Sequence, residues 1–170
     1  MTIETIMLII EIIGTIAFAI TGVITALEKK FDIFGAIVLG TVTAVGGGIV
    51  RDLILGYTPP MAFRKPVYAL TALITSLAVF VIAFFFGRRI KKHFEIYSQV
   101  INIFDSIGLA VFVIGGINSA ISCGFGENMF LSVFVATLTG VGGGVMRDIM
   151  ARRVPKILRK RVMKSVYLSC

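Results

Sequence analysis

Cysteine and histidine are nearly absent from this chain, which has two of the first and one of the second. Cys123 and Cys170 lie far apart without ligand spacing, so they predict neither a disulfide framework nor a zinc site. His93 stands alone in a basic loop, and no Ser/His/Asp or Cys/His arrangement is visible. We therefore expect a protein that is not an enzyme and that carries no metal ion or cofactor.

Charge is scarce inside the long apolar runs of the sequence. The chain of 170 residues is 57% hydrophobic, with a mean hydropathy of +0.98, whereas soluble domains are roughly 45–50% apolar. A soluble protein of this size could not bury so much apolar surface, so the lipid bilayer is its expected solvent. The net charge of +8 comes from basic residues at the ends of the runs, with no soluble basic module, which argues against a nucleic-acid partner.

Five of these runs are long enough to cross a bilayer, which takes about 20 residues in a helix. They are too long and too continuous for strands of a β-barrel. Glu4 and Glu11 precede or enter the first run, which argues against a signal peptide. The sequence therefore predicts an all-α membrane protein with five spans: Thr5–Leu27, Ile33–Leu55, Val67–Phe86, Ile101–Ser122 and Met129–Met150.

The distribution of lysine and arginine predicts the orientation of the chain. With the N-terminus outside, the outer loops hold only Arg64 and Lys65, and the other basic connections and the basic tail lie inside. We expect a multi-pass protein of the cell membrane with a cytoplasmic C-terminal tail. The tail, Ala151–Cys170, combines basic residues with an apolar face, so we expect an interfacial helix or a partly inserted segment that binds anionic lipid, and not a spanning sixth helix. A plain topology signal with a disordered end is the alternative.

The second half of the chain repeats the first. FAITGVITAL (Phe18–Leu27) matches FVIGGINSAI (Phe112–Ile121) at an offset of 94, and TAVGGGIVRDLILGYTP (Thr43–Pro59) matches TGVGGGVMRDIMARRVP (Thr139–Pro155) at an offset of 96. We assign residues 1–92 to a first three-helix repeat and 93–170 to a second, which is short in its third helix. Because each repeat has an odd number of helices, the two are inverted in the membrane, an arrangement typical of transport proteins.

Each repeat carries three consecutive glycines within its second helix. The candidate pore residues are Gly46, Gly47, Gly48, Gly142, Gly143 and Gly144. Such glycines permit close helix packing, or they break the helix so that freed backbone groups line a cavity. Because the two triplets are related by the repeat and each precedes Arg-Asp, we favour the break and expect a kinked second and fifth helix.

Charged residues within the spans form a second set of candidates: Glu11, Arg51, Asp52, Asp105, Arg147 and Asp148. Ionisable groups inside a membrane are costly and usually face a partner or water. In the proposed topology Glu11 shares its depth with Arg51, and Asp105 shares its depth with Arg147. We predict these two pairs as gating or charge pairs, and the alternative is that all four side chains reach their nearest interface.

The doubled GGGxxRD, each copy on the second helix of a three-helix repeat, resembles the prokaryotic members of the trimeric intracellular cation (TRIC) channel family. This sequence class is also described as glycine-transporter-like. The resemblance implies a seven-helix fold, a homotrimer with a pore in each subunit lined by the kinked second and fifth helices, and conduction of monovalent cations, chiefly potassium. The chain departs from that pattern where it stops at Cys170, before a sixth helix is complete. A small-solute transporter, for glycine or a similar molecule, and a non-conducting short family member are the alternatives.

Overall fold

Long α-helices make up most of the molecule. The computed structural model describes residues 3–90 and 94–158. Within these ranges the α-helices are α1 (Ile3–Glu28), α2 (Ile33–Ile54), α3 (Met61–Arg64), α4 (Pro66–Ile90), α5 (Phe94–Ala120) and α6 (Met129–Met150). A π-helical turn, Ile121–Phe125, follows α5, and a 3-10 turn, Lys156–Leu158, follows α6.

The five predicted spans are confirmed, because α1, α2, α4, α5 and α6 are each long and apolar enough to cross a membrane. Their boundaries agree with the predicted ones to within a few residues, and α6 coincides with the predicted range Met129–Met150. The connection between α2 and α4 holds a short helix, α3, that the sequence did not predict. The boundary placed between residues 92 and 93 and most of the predicted lipid-binding tail lie outside the described residues, as does His93.

Helices α2 and α6 begin with the same capping interaction. The Asp32 carboxylate accepts a hydrogen bond from Gly35 N at 2.7 Å, and the Asn128 side chain accepts one from Leu131 N at 3.0 Å. Each cap satisfies an amide that the first turn of a helix leaves without a partner. The two caps occupy equivalent positions in the repeats, with the offset of 96 found in the sequence.

The same two helices also end alike. After α2 the amides of Gly56 and Tyr57 bond back to Leu53 O at 3.2 Å and Asp52 O at 2.8 Å. After α6 the amides of Arg152 and Arg153 repeat this pattern. Such a turn needs one residue in the left-handed region, which is Gly56 (φ 74°) in the first repeat and Arg152 (φ 51°) in the second. The duplication thus extends to single backbone hydrogen bonds.

The two repeats meet mainly through two helix pairs. Helix α1 packs against α2, α4 and α5, and α2 packs against α6. Helices α1 and α5 run in opposite directions. Glu11, near the start of α1, lies beside Gly115, near the end of α5. Thr21, later in α1, lies near Asp105, early in α5, because both bond the Arg147 side chain. The α1–α5 and α2–α6 contacts therefore form most of the interface between the repeats, and Thr21 adds a contact from α1 to α6.

Helix α2 crosses α6 at the two glycine triplets with direct backbone contact. A Cβ atom on Gly47 would overlap the carbonyl oxygen of Thr139, and one on Gly143 would overlap the carbonyl oxygen of Thr43. Lipid offers no hydrophobic driving force between helices, so such close approach supplies the van der Waals contact that holds them together. The glycines are therefore the packing surface of the crossing.

Both glycine triplets lie in the interior of long helices. Helix α2 is assigned without interruption from Ile33 to Ile54, and α6 from Met129 to Met150. Glycine permits both a kink and the close approach of a second helix, and the close approach is what the structure shows here. The role of the glycines as kinks that line a pore stays a prediction.

Candidate functional site

A buried charge cluster lies where α1, α2 and α4 meet. Arg51 is 5% exposed, and its Nη1 atom lies 3.4 Å from Glu11 Oε1 while its Nε atom donates to Asp52 Oδ1 at 2.8 Å. Tyr68 of α4 donates its hydroxyl to Glu11 Oε2 at 2.5 Å. The cluster therefore joins the three spans of the first repeat through side chains.

The segment after α2 folds over this first cluster. The backbone amide of Met61, at the start of α3, donates to Asp52 Oδ2 at 2.6 Å. Arg64 at the end of α3 donates to Thr58 O at 2.6 Å, and its guanidinium carbon lies 4.3 Å from the centre of the Tyr57 ring. Asp52 thus bonds both the neighbouring arginine and the loop that covers the cluster.

A second cluster occupies the equivalent place in the second repeat. Arg147 is 1% exposed, and its two terminal nitrogens donate to the two Asp105 oxygens at 2.5 and 3.1 Å. Its Nε atom donates to Asp148 Oδ1 at 3.1 Å, and Nη1 also bonds Thr21 Oγ1 of the first repeat at 2.9 Å. This guanidinium is held by two carboxylates and a hydroxyl.

The two arginines differ in how tightly they are held. Arg51 has one long contact with Glu11, whereas Arg147 has a two-point contact with Asp105. The position equivalent to Thr21 is Gly115, where a Cβ atom would lie 3.2 Å from Glu11 Oε1 and 3.8 Å from Arg51 Nη1. Arg51 therefore lacks the hydroxyl acceptor that Arg147 has.

Each cluster contains two carboxylates and one guanidinium, so its formal charge is −1. The third glycine of each triplet lies beneath the guanidinium, and a Cβ atom there would lie 3.9 Å from Arg51 Nη2 or 3.8 Å from Arg147 Nη2. The glycines of one triplet thus have separate roles, because the second contacts the opposite helix and the third lies beside the charge.

A cavity adjoins each cluster. The first, with a volume of about 30 Å³, is lined by Glu11, Arg51, Val45 and Phe112. The second, with a volume of about 430 Å³, is lined by Asp105, Arg147, Val141 and Phe18. Most of the lining residues are equivalent in the two repeats. The phenylalanines are exchanged, because each cavity is lined by the phenylalanine of the other repeat.

The structure brings together the side chains that the sequence paired by depth, Glu11 with Arg51 and Asp105 with Arg147. Sequence reasoning missed Tyr68 and Thr21, which complete the two clusters. A signal for Tyr68 was present, since the predicted span Val67–Phe86 has no charged residue and Tyr68 is its one tyrosine. Thr21 carried no such signal, because threonines are frequent in these spans and most bond their own helix, as Thr25 does with Thr21 O.

The fold and the two clusters define a multi-pass, all-helical membrane protein built from two inverted repeats. A family model described as "Glycine transporter" matches residues 8–83 and 102–170. The chain is 42% identical over 152 residues to a UPF0126 membrane protein of Deinococcus radiodurans, covering 89% of this chain and 66% of that one. It is 37% identical to the UPF0126 inner membrane protein YadS of Escherichia coli, covering 90% of this chain and 70% of that one.

Comparison with solved structures also finds relatives of this chain. A TRIC trimeric intracellular cation channel orthologue from Rhodobacter sphaeroides has a TM-score of 0.80 at 31% identity, covering 96% of this chain and 79% of that one. A prokaryotic TRIC channel crystallised in 0.5 M KCl has a TM-score of 0.81 at 32% identity, covering 98% and 80%. The chain belongs to the family of this glycine-transporter model and of the TRIC channels.

Proposed function

We propose that the protein is a monovalent cation channel, selective for potassium, with a pore in each subunit lined by α2 and α6. The observation that carries this proposal is the pair of cavities, one in each repeat, with a formally negative charge cluster beside each. The similarity to TRIC cation channels at 31–32% identity over nearly the whole chain supports it.

The charge of the clusters favours cations over anions. Each guanidinium is matched by two carboxylates, so a cation that enters either cavity meets a net negative field. Cavities lined by one sign of charge with low-dielectric walls concentrate the opposite ion. In this proposal the arginines hold the carboxylates in place, and the excess negative charge selects the ion.

The same pairing argues against the alternative of a glycine-like solute, which the family description suggests. A transporter for a zwitterion needs a cationic group, or a free helix N-terminus, for the solute carboxylate. Arg51 and Arg147 already bind carboxylates of the protein, and Arg147 is 1% exposed. A solute would have to displace a buried ion pair to bind there.

Voltage-driven flux in proteoliposomes tests the function. We expect potassium flux that follows the imposed voltage without saturating, and no glycine accumulation. Saturable, ion-coupled glycine uptake would contradict the channel and support the transporter.

A charge variant tests the selectivity. Glu11→Gln removes the excess charge of the first cluster and should lower the preference for K⁺ over Cl⁻. Glu127→Gln makes the same chemical change at an exposed loop position and serves as the matched control. Equal selectivity in both variants would show that the first cluster does not select the ion.

The assembly and the topology are part of the proposal. The TRIC channel orthologue from Rhodobacter sphaeroides is described as trimeric, and we propose a homotrimer here. We also propose that the N-terminus lies outside the cell and the basic tail inside. A monodisperse monomer in nanodiscs would contradict the trimer, and a C-terminal tag reached from outside would contradict the topology.

A further inference from the structure

Each cavity is lined by one of two phenylalanines that stack on each other. The rings of Phe18 from α1 and Phe112 from α5 stack with their centres 5.2 Å apart and an angle of 27° between their planes. They are 2% and 6% exposed and belong to one apolar cluster with Ala19, Ala44 and Ala72. An apolar layer therefore separates the two charge clusters.

Glycines lie where the neighbouring helices contact the two rings. A Cβ atom on Gly108 would overlap the Phe18 ring, and one on Gly14, its equivalent in the first repeat, would lie 3.3 Å from the Phe112 ring. Phe18 also contacts the α2–α6 crossing, since a Cβ atom on Gly143 would lie 3.0 Å from its Cδ2 atom. The two rings thus fill the space between the α1–α5 pair and the crossing of α2 with α6.

We propose that Phe18 and Phe112 form the gate of this protein, an apolar barrier that keeps water and ions in one cavity from reaching the other. Phe112 lines the cavity of Glu11 and Arg51, and Phe18 lines the cavity of Asp105 and Arg147, so the stacked pair is the wall that the cavities share. An apolar constriction excludes water and therefore ions, and conduction requires the rings to move apart. This inference rests on the proposed channel function.

A polar side chain in place of a ring should open the barrier. We expect Phe18→Ser and Phe112→Ser to raise potassium flux several-fold in proteoliposomes, whereas Phe18→Leu, which stays apolar, should raise it much less than Phe18→Ser. Phe130→Ser is the matched control, because Phe130 stacks on Phe134 but is 81% exposed. A pair that only packs the core would give variants that lose folded protein and gain no flux.

Accessibility gives a readout that does not depend on conduction. In a Cys123→Ser, Cys170→Ser background, Val45→Cys and Val141→Cys place single thiols at equivalent positions in the first and second cavity. Ag⁺, a cation close to K⁺ in size, is added to one side of sealed vesicles, and the thiols left free are counted after unfolding. With both phenylalanines present, we expect each thiol to react from one side only, and from opposite sides in the two variants.

Phe18→Ser or Phe112→Ser should make both thiols reactive from either side. Reaction from both sides with the phenylalanines present, or from one side only in both serine variants recovered as folded protein, would overturn the gate. If neither serine variant folds, Phe18→Ala and Phe112→Ala take their place under the same criteria. Changed accessibility without potassium flux in any variant would leave the barrier standing and refute the channel.

Discussion

The glycine triplets allow a prediction that separates neighbouring positions. In Gly47→Ala the new Cβ atom meets the Thr139 carbonyl oxygen, a backbone atom that cannot rotate away, and comes within 3.4 Å of Gly143 N. In Gly48→Ala the nearest atom is Arg51 Nη2 at 3.9 Å, an ordinary contact with the end of a side chain. Moving the alanine substitution by one residue along the helix should therefore reverse the sign of its effect on stability.

The magnitude follows from two opposing contributions. Alanine in a helix interior is favoured over glycine by roughly 0.5–1 kcal/mol, because glycine loses more backbone entropy on folding. Forcing an extra atom into a packed core costs about 1–3 kcal/mol. We expect Gly48→Ala to stabilise the protein by up to ~1 kcal/mol and Gly47→Ala to destabilise it by about 1–2 kcal/mol. The two variants should then differ by about 2 kcal/mol in free energy of unfolding, or roughly 4–8 °C in Tm.

This difference in Tm is measured by heating each variant in the same detergent and quantifying the remaining folded protein by size-exclusion chromatography. Gly143→Ala and Gly144→Ala repeat the comparison in the second repeat, where a Cβ atom on Gly143 overlaps the Thr43 carbonyl oxygen and one on Gly144 lies 3.8 Å from Arg147 Nη2. Equal Tm values for the neighbouring variants in both repeats would refute the packing of α2 on α6 derived from the structure.

The remaining predictions concern charge, backbone conformation and the tail. Asp105→Asn removes one of the two carboxylates that hold the buried Arg147 and should lower the free energy of unfolding by about 3 kcal/mol. Glu11→Gln should lower it less, because the contact of Glu11 with Arg51 is longer. Chemical denaturation in detergent compares the two variants. Arg152→Gly relieves a left-handed φ of 51° and should stabilise the protein by about 1 kcal/mol, and an unchanged Tm would contradict this. The basic tail should be protected from trypsin in vesicles with anionic lipid, in a salt-dependent way, and equally fast cleavage in neutral vesicles would refute lipid binding.

Much of the fold could be predicted from the sequence because the bilayer imposes a simple constraint. A backbone in lipid must bond within its own segment, so each long apolar run became one helix, α6 at the predicted residues Met129–Met150. The acid–arginine contacts followed from depth, since an unpaired charge within a span is costly and an equal-depth partner was available. Here the physical rule allowed few alternatives.

Other features depended on tertiary contacts that no local pattern records. A glycine triplet is compatible with a kinked helix and with a tight crossing, and the crossing becomes visible only from the position of α6 against α2. The stacking of Phe18 on Phe112 was equally hidden, because phenylalanines are common in these spans and, among the described residues, these two alone stack between the repeats. The π-helical turn at Ile121–Phe125 also had no signal beyond the glycine at 124, whose φ is 85°.

The exchanged phenylalanines have an evolutionary consequence. Each cavity takes one wall from the opposite repeat, and the tightest backbone contact also joins helices of different repeats. A single three-helix ancestor could have completed such a cavity only by pairing with a second copy inserted in the opposite direction. Its gene product would have needed to enter the membrane both ways, with little bias in the distribution of its basic residues. After duplication and fusion each half was free to fix one direction, and differences such as threonine at position 21 against glycine at position 115 could then accumulate.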